Sequence, residues 1–310
     1  MCGLYGFLHY GSNKINNLSV LTNALAEEAA VRGTDATGIA FNSGEKLTIL
    51  KESKPAYRLN FKHSDNISAV IGHTRHSTQG SEKKNYNNHP FSGKCKNTKF
   101  ALAHNGVLTN DNELKKQYRL PKSRIETDSY IAVQLIEYKK QLNADSIKFM
   151  AEAVEGSFSL SILDSYNSIW LVKGDSPLHI LHFPELQIYI YASTEEILWK
   201  ALIETDIFDE LKNGRFKEVP VSCGDILNIL PDGNIVYDKF KYTDYSRYGN
   251  CRWWDYGYDF DSIKAGSKDS YIEDLKSIAA YQGFSDDDID TLLDNGFTPE
   301  EIEEYIYCYE

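Results

Sequence analysis

The chain opens Met1-Cys2-Gly3. A cysteine directly behind the initiator methionine becomes the first residue once that methionine is trimmed, which a small second residue permits. Its α-amine then lies a few bonds from its own sulfur. An α-amine has an ordinary pKa of about 7.7–8.0, so a useful fraction is neutral near physiological pH. It can draw the proton from the thiol, as in the threonine/N-terminal-amine arrangement, and no separate histidine is required. Taken alone, a cysteine at this position reads as a chance residue without a role. The polar blocks that follow reverse the balance: Arg32-Gly33-x-Asp35-x-x-Gly38, Gly72-His73-Thr74-Arg75-x-Ser77-Thr78-x-Gly80, His89-Pro90-Phe91, and His104-Asn105-Gly106 with Thr127-Asp128. A thiolate attacking a carbonyl needs hydrogen-bond donors preplaced at the oxygen that becomes negative. These blocks are rich in such donors.

Together with Cys2-Gly3 the blocks stand in the order in which they occur in the class II glutamine amidotransferases, members of the N-terminal-nucleophile hydrolase superfamily, and residues 2–240 resemble that family. The resemblance implies an α+β fold, a four-layer αββα sandwich. It also implies hydrolysis of the glutamine side-chain amide through a thioester on Cys2, with no metal and no cofactor. By the same resemblance the oxyanion donors are the Asn105 side chain and the Gly106 backbone N–H. The carboxylate of glutamine calls for a planar, doubly donating cation, which Arg supplies better than Lys. Arg75 matches the family's carboxylate arginine, with Thr78 beside it as a hydroxyl donor. Asp128 matches the anion that receives the α-ammonium. Arg32, Asp35 and His89 fall at motif positions read as site scaffolding. The residue after Arg75 is usually aromatic in the family and is His76 here, which bears on how the loop covering glutamine closes. His73, His76, His89 and His104 also suggest a metal cluster seeded by His73-x-x-His76, but no acid sits at a spacing suited to a ligand set.

These residues need elements to hold them. Leu4 to Tyr10 reads as a strand starting almost at the amine, and Leu18, Leu21, Leu25 and Ala29 recur at helical spacing to about Val31. A hairpin follows, Ile39–Phe41 and Lys46–Lys51 around Asn42-Ser43-Gly44. Short strands at Ala69–Gly72 and Phe100–Ala103 feed the polar blocks as loops, and Ser81–Asn88 reads as polar and mobile. Tyr130–Tyr138 is a buried helix with Thr127 as N-cap, and Asp145–Val154 is a second helix. Strands return at Ser157–Leu163, Ile169–Val172, Leu178–His182 and Gln187–Tyr191. A helix at Glu195–Leu202 precedes strands Asp225–Leu230 and Asn234–Tyr237 around Pro231-Asp232-Gly233. Two stacked sheets covered by helices satisfy this order.

The 310 residues carry a net charge of −12 that is unevenly placed. Between Gly266 and Glu310 there are 13 acids against Lys268 and Lys276, so the rest of the chain is near neutral. No broad phosphate-binding surface is expected, hence no nucleic-acid partner. No apolar run reaches membrane-spanning length, and no secretory signal is expected. Five scattered cysteines form no Cys-x-x-Cys pair and fit a reducing cytoplasm. Residues 241–265 read as an aromatic-rich strap and 266–310 as an acidic mini-domain of three helices. There Gly283-Phe284-Ser285 and Gly296-Phe297-Thr298 each begin a capping box. The chain shows no pyrophosphatase loop and no Walker-type loop. The expectation is therefore a glutaminase that supplies ammonia to a separate synthetase or ligase, docked through the acidic region. Alternatives are a stand-alone hydrolase of a γ-glutamyl amide compound and a non-catalytic binding protein that keeps the fold.

Overall fold

The strand that starts one residue after Cys2 is buried on both faces, and its neighbours explain why. In the computed structural model, which describes residues 2–11, 15, 17–64, 66–96, 98–243, 276, 284–294 and 302, β1 (Gly3–His9) runs between β4 (Ala69–Arg75) and β10 (Ile188–Ala192). Tyr5 and Phe7 point to one face and Leu4 and Leu8 to the other, as the two-residue period of a strand requires. The continuous apolar run of β1 is thus a strand with no solvent side.

β2 (Ala36–Ser43) and β3 (Lys46–Glu52) form the expected hairpin and extend this sheet beyond β4. β9 (His179–Phe183) and the short β11 (Lys217–Glu218) extend it beyond β10, giving the order β11-β9-β10-β1-β4-β2-β3. The second sheet joins β5 (Phe91–Lys94), β6 (Lys99–Leu108), β7 (Gly156–Asp164), β8 (Ile169–Lys173), β12 (Asp225–Ile229) and β13 (Ile235–Lys239), in the order β13-β12-β8-β7-β6-β5. All pairings in both sheets are antiparallel.

Three apolar layers separate four structural ones. Leu4, Leu8, Ile71, Ala101, Leu171 and Leu227 pack between the sheets. The outer face of the first sheet is covered by α1 (Leu18–Glu28), α5 (Glu195–Ile203) and α6 (Phe208–Lys212). That of the second is covered by α2 (Asp111–Gln117), α3 (Tyr130–Tyr138) and α4 (Ala144–Ala153). This is the αββα sandwich. Gly72 shows how closely the first sheet is built. The Tyr5 ring lies where a Cβ would be, with the nearest ring carbon 2.1 Å away.

Several local expectations change. β4 continues through Arg75 and β6 through Leu108, so His73-Thr74-Arg75 and His104-Asn105-Gly106 are strand rather than loop. Ladder pairing overrides composition there: Leu4 pairs with His73, Asn105 with Ser159, and Gly106 with Phe158. Thr127 does not cap α3. Ser129 occupies the N-cap with no capping side chain, and the Thr127 hydroxyl has no partner among the described residues. Asn143, by contrast, forms a full capping box at α4. Most of the 81–88 stretch is exposed or partly exposed, as expected, but its end turns inward, where Asn87 and Asn88 are wholly buried and hydrogen-bonded. β5, α2, α6 and β11 were not expected.

The chain divides into two compact units, Met1–Trp254 and Asp255–Glu310. In the second, α7 (Asp286–Asp294) begins with the expected capping box: the Asp288 carboxylate accepts from Ser285 N–H, and Asp288 N–H reaches the Ser285 hydroxyl. Ile289 and Ile302 are buried there, with Phe284, Leu292 and Leu293 packed against them. The second capping box and nearly all of the 241–265 strap lie outside the described residues.

Candidate active site

The antiparallel pairing of β1 with β4 places Gly3 opposite Thr74, so the nucleophile's end of β1 meets the Arg75 end of β4. One small cleft there is lined by Cys2, Arg75, His76, Thr78, Gln79, His89, His104, Gly106, Thr127, Asp128 and Ser129. It gathers six of the nine residues singled out in the sequence: Cys2, Arg75, Thr78, His89, Gly106 and Asp128. Asn105 lies beside Gly106, 2% exposed, with Nδ2 donating to the Ser193 hydroxyl at 3.5 Å.

Arg32 and Asp35 stay outside the cleft and fasten its rim. Arg32 Nε donates to the Cys2 carbonyl at 2.8 Å. Asp35 takes the Ser77 N–H at 2.7 Å, and its own N–H donates to the Arg75 carbonyl at 3.0 Å. The Cys2 thiol is half-buried and sits 3.4 Å from both the N–H and the carbonyl of His76. Burial pushes its pKa up, offset in part by the His76 backbone and by nearby positive charge including Arg75. A thiol so placed is not a thiolate at rest, and its proton has to be removed as it attacks.

Arg75 is 3% exposed, and its guanidinium is shared between cleft and loop. Nη1 donates to Asn88 Oδ1 at 2.7 Å, and Nη2 to the carbonyls of Gln79 and Gly80, both at 2.7 Å. Three of the five donors of a guanidinium therefore organise its own loop. All three acceptors are neutral, and among the described residues no carboxylate forms a salt bridge with Arg75. Its charge remains available to attract an anion. Behind it, Lys51 donates to the carbonyls of Asn88 and Pro90, and burial, with Arg75 nearby, pushes its ammonium down to about 8.

Gly106 can be nothing but glycine. Its φ is 134°, and a Cβ would lie 2.0 Å from the Ser157 carbonyl oxygen. Asp128 accepts the Leu108 N–H at 2.7 Å, and the Ser129 hydroxyl lies 3.3 Å from its other oxygen. Ser129 also meets His104 Nδ1 at 2.8 Å.

His73, His89 and His104 form a buried row, with ring centroids 4.0 Å apart for the first pair and 6.4 Å for His89 and His104. Burial is the main reason all three are held neutral: His73 is pushed down to about 3, His89 well below its usual range, and His104 down. The His73-x-x-His76 pair does not converge, since His73 is buried while His76 is exposed. His104, Thr127, Ser129 and Gln79 line the cleft without having been assigned roles in the sequence. The first two stood in the quoted blocks, and no local signal marked Gln79.

Two antiparallel sheets packed face to face between helices, with the second residue of the chain in the cleft, define an N-terminal-nucleophile hydrolase fold. Residues 1–154 match the family model of glutamine amidotransferases class-II. The chain is 35% identical over 187 residues to glutamine–fructose-6-phosphate aminotransferase [isomerizing] of Staphylococcus aureus (strain Mu50), a stretch covering 57% of this chain and 30% of that protein. It is 34% identical over 188 residues to the Listeria monocytogenes enzyme of the same name, covering 58% of this chain and 30% of the relative. The chain thus spans under a third of the length of these curated relatives. Among solved structures, glutamine phosphoribosylpyrophosphate amidotransferase from B. subtilis superposes with a TM-score of 0.60 at 22% identity, over 78% of this chain and 50% of that one, which shows the fold. The chain carries a class II glutamine amidotransferase domain.

The buried histidines tie stability to pH. Each has a folded pKa below its unfolded value of about 6.5, so the unfolded state binds more protons between the two values. The stability they contribute is complete above pH ~6.5 and is lost as pH falls toward the folded values, about 3 for His73. Urea unfolding midpoints between pH 7 and 4 are expected to fall, with a slope that flattens in a His89→Phe variant by up to about 1.4 kcal/mol per pH unit. An unchanged slope in that variant would contradict a neutral, buried His89.

Proposed function

We propose that this chain hydrolyses the side-chain amide of L-glutamine and hands the ammonia to a separate acceptor enzyme. The observation that carries the reading is the convergence of Cys2, Arg75, Gly106 and Asp128 on one cleft from four separate stretches of chain. With Met1 removed, the Cys2 amine takes the thiol proton as sulfur attacks the amide carbon. The carbonyl oxygen becomes negative and is met by the Asn105 amide and the Gly106 N–H. The C–N bond then breaks, the amine returns the proton to the leaving nitrogen, and ammonia departs from a γ-glutamyl thioester. Water, deprotonated by the same amine, cleaves the thioester to glutamate and regenerates the thiol. Arg75 attracts the α-carboxylate, with the exposed Thr78 hydroxyl beside it, and Asp128 holds the α-ammonium. Arg32, Asp35 and His89 shape the rim and wall. A reducing cytoplasm suits the free thiols of Cys2, Cys95 and Cys223.

Cys2→Ala is expected to abolish ammonia release from glutamine while the protein stays folded. Arg75→Lys keeps the charge but loses the fork, so KM for glutamine is expected to rise about tenfold or more with kcat little changed. Asn105→Ala is expected to lower kcat by roughly 10²–10³-fold at similar KM. Steady-state kinetics showing the two patterns exchanged would mean that clamp and oxyanion donor have been swapped.

The acceptor is assigned to the acidic 266–310 region on the strength of its charge, which steers association with a basic partner in a salt-dependent way. Truncation before Gly266 is expected to leave glutamine hydrolysis within a few-fold of the full chain while abolishing salt-sensitive binding to the ammonia-using enzyme. A joint fall in melting temperature and activity, insensitive to salt, would instead make the region a cover for apolar surface.

A further inference from the structure

The interface between the two sheets is apolar along most of its length. At the Cys2 end of β1, however, two buried polar side chains cross it, and the reaction described above uses neither. His73 on β4 stands opposite Leu4 in the ladder, and its Nε2 donates to the main-chain oxygen of His104 on β6 at 2.9 Å. Ser193, the residue after β10, flanks Leu4 from the other side. Its N–H donates to the Leu4 oxygen at 2.9 Å, and its hydroxyl oxygen accepts the Leu4 N–H at 2.8 Å. The same hydroxyl oxygen accepts from Asn105 Nδ2 at 3.5 Å. Leu4, two residues beyond Cys2, is therefore bracketed by two side chains that reach neighbouring residues of β6.

We propose that His73 and Ser193 are positioning residues that hold the Asn105 segment of β6 at a fixed spacing from the Cys2 strand. The inference rests on the oxyanion role given to Asn105 above.

Both side chains are wholly buried. A buried polar group costs free energy unless it is hydrogen-bonded, and a leucine or alanine would pack the same interface at less cost. His73 even leaves Nδ1 without a partner. A polar pair here makes physical sense if direction matters more than adhesion. An oxyanion donor gains its effect from being fixed before the reaction, within about 0.5 Å of its productive place. Apolar packing lets sheets slide by small amounts, whereas hydrogen bonds at two adjacent β6 residues oppose sliding and rotation together. The Asn105 amide has two N–H hydrogens. Ser193 fixes the plane of the amide through one of them and thereby aims the other.

The test uses the full chain. Ser193→Ala is expected to lower kcat for glutamine about tenfold or more, with KM within about twofold. In an Asn105→Ala background the same change is expected to cost less than about twofold, because its effect runs through that amide. His73→Leu is expected to show the same kcat loss, and His73→Gln, which keeps an N–H donor, to recover most of it. This second pair carries the test if Ser193→Ala does not fold. A rise in KM at constant kcat, or a loss that persists undiminished without Asn105, would overturn the proposal. A readout independent of activity is hydrogen exchange of the Asn105 side-chain amide, followed by NMR on asparagine-labelled protein. Slow exchange in the wild type that becomes fast in Ser193→Ala or His73→Leu supports the bracket, and equal exchange overturns it. A wild type that released no ammonia would defeat the proposed function, while the exchange experiment would still decide the bracket.

Discussion

The structure depends on one constraint: a nucleophile at the very start of a chain has to be held still. A terminus ordinarily frays, since nothing precedes it to share hydrogen bonds. Here the strand begins at Gly3 and lies in the middle of a seven-stranded sheet, paired on both edges and buried on both faces. Cys2 inherits the order of a central, buried strand of the first sheet. Arg32 adds a direct hold on its carbonyl, and the His76 backbone adds a contact to its sulfur. Everything else in the site is placed relative to that strand.

The electrostatics follow from the same burial. Two buried histidines, His89 and His104, share the cleft with Cys2, and burial lowers their basicity, so they carry no charge to stabilise a thiolate and are weak bases beside its amine. Arg75 is a buried cation whose hydrogen bonds among the described residues go to neutral acceptors, and the buried Asp128 carboxylate lines the same cleft. Holding Arg75 in place occupies the Asn88 side chain and the carbonyls of Gln79 and Gly80, and this explains why the end of an otherwise exposed polar stretch turns inward.

The fold class was legible in the sequence because the apolar runs of β1, β7, β8 and β10 have strand length and lie between helical periods. Six residues of the cleft were legible because they fall in the polar blocks, whereas Gln79 and Ser129 were not. Ladder extent was not. His73, Asn105 and Gly106 look like loop residues, and only pairing with Leu4, Ser159 and Phe158 makes them strand. Thr127 carried a capping signal that the chain does not use, because Ser129 already lies in helical conformation. Asn87 and Asn88 read as surface, since burial of an amide depends on acceptors far away in sequence. Ser193 gave no signal at all: its partners, Leu4 and Asn105, are 189 and 88 residues away.

The central claim is that Cys2, as the first residue of the working protein, forms a covalent γ-glutamyl intermediate. Its most direct test is to quench the purified protein in acid during turnover with glutamine and map the amino-terminal peptide by mass. The account predicts a peptide that begins at Cys2 and carries one glutamyl group on its sulfur, removable by hydroxylamine. Turnover by a chain that retains Met1, or glutamine consumption with Cys2 unmodified and the adduct on another residue, would contradict it.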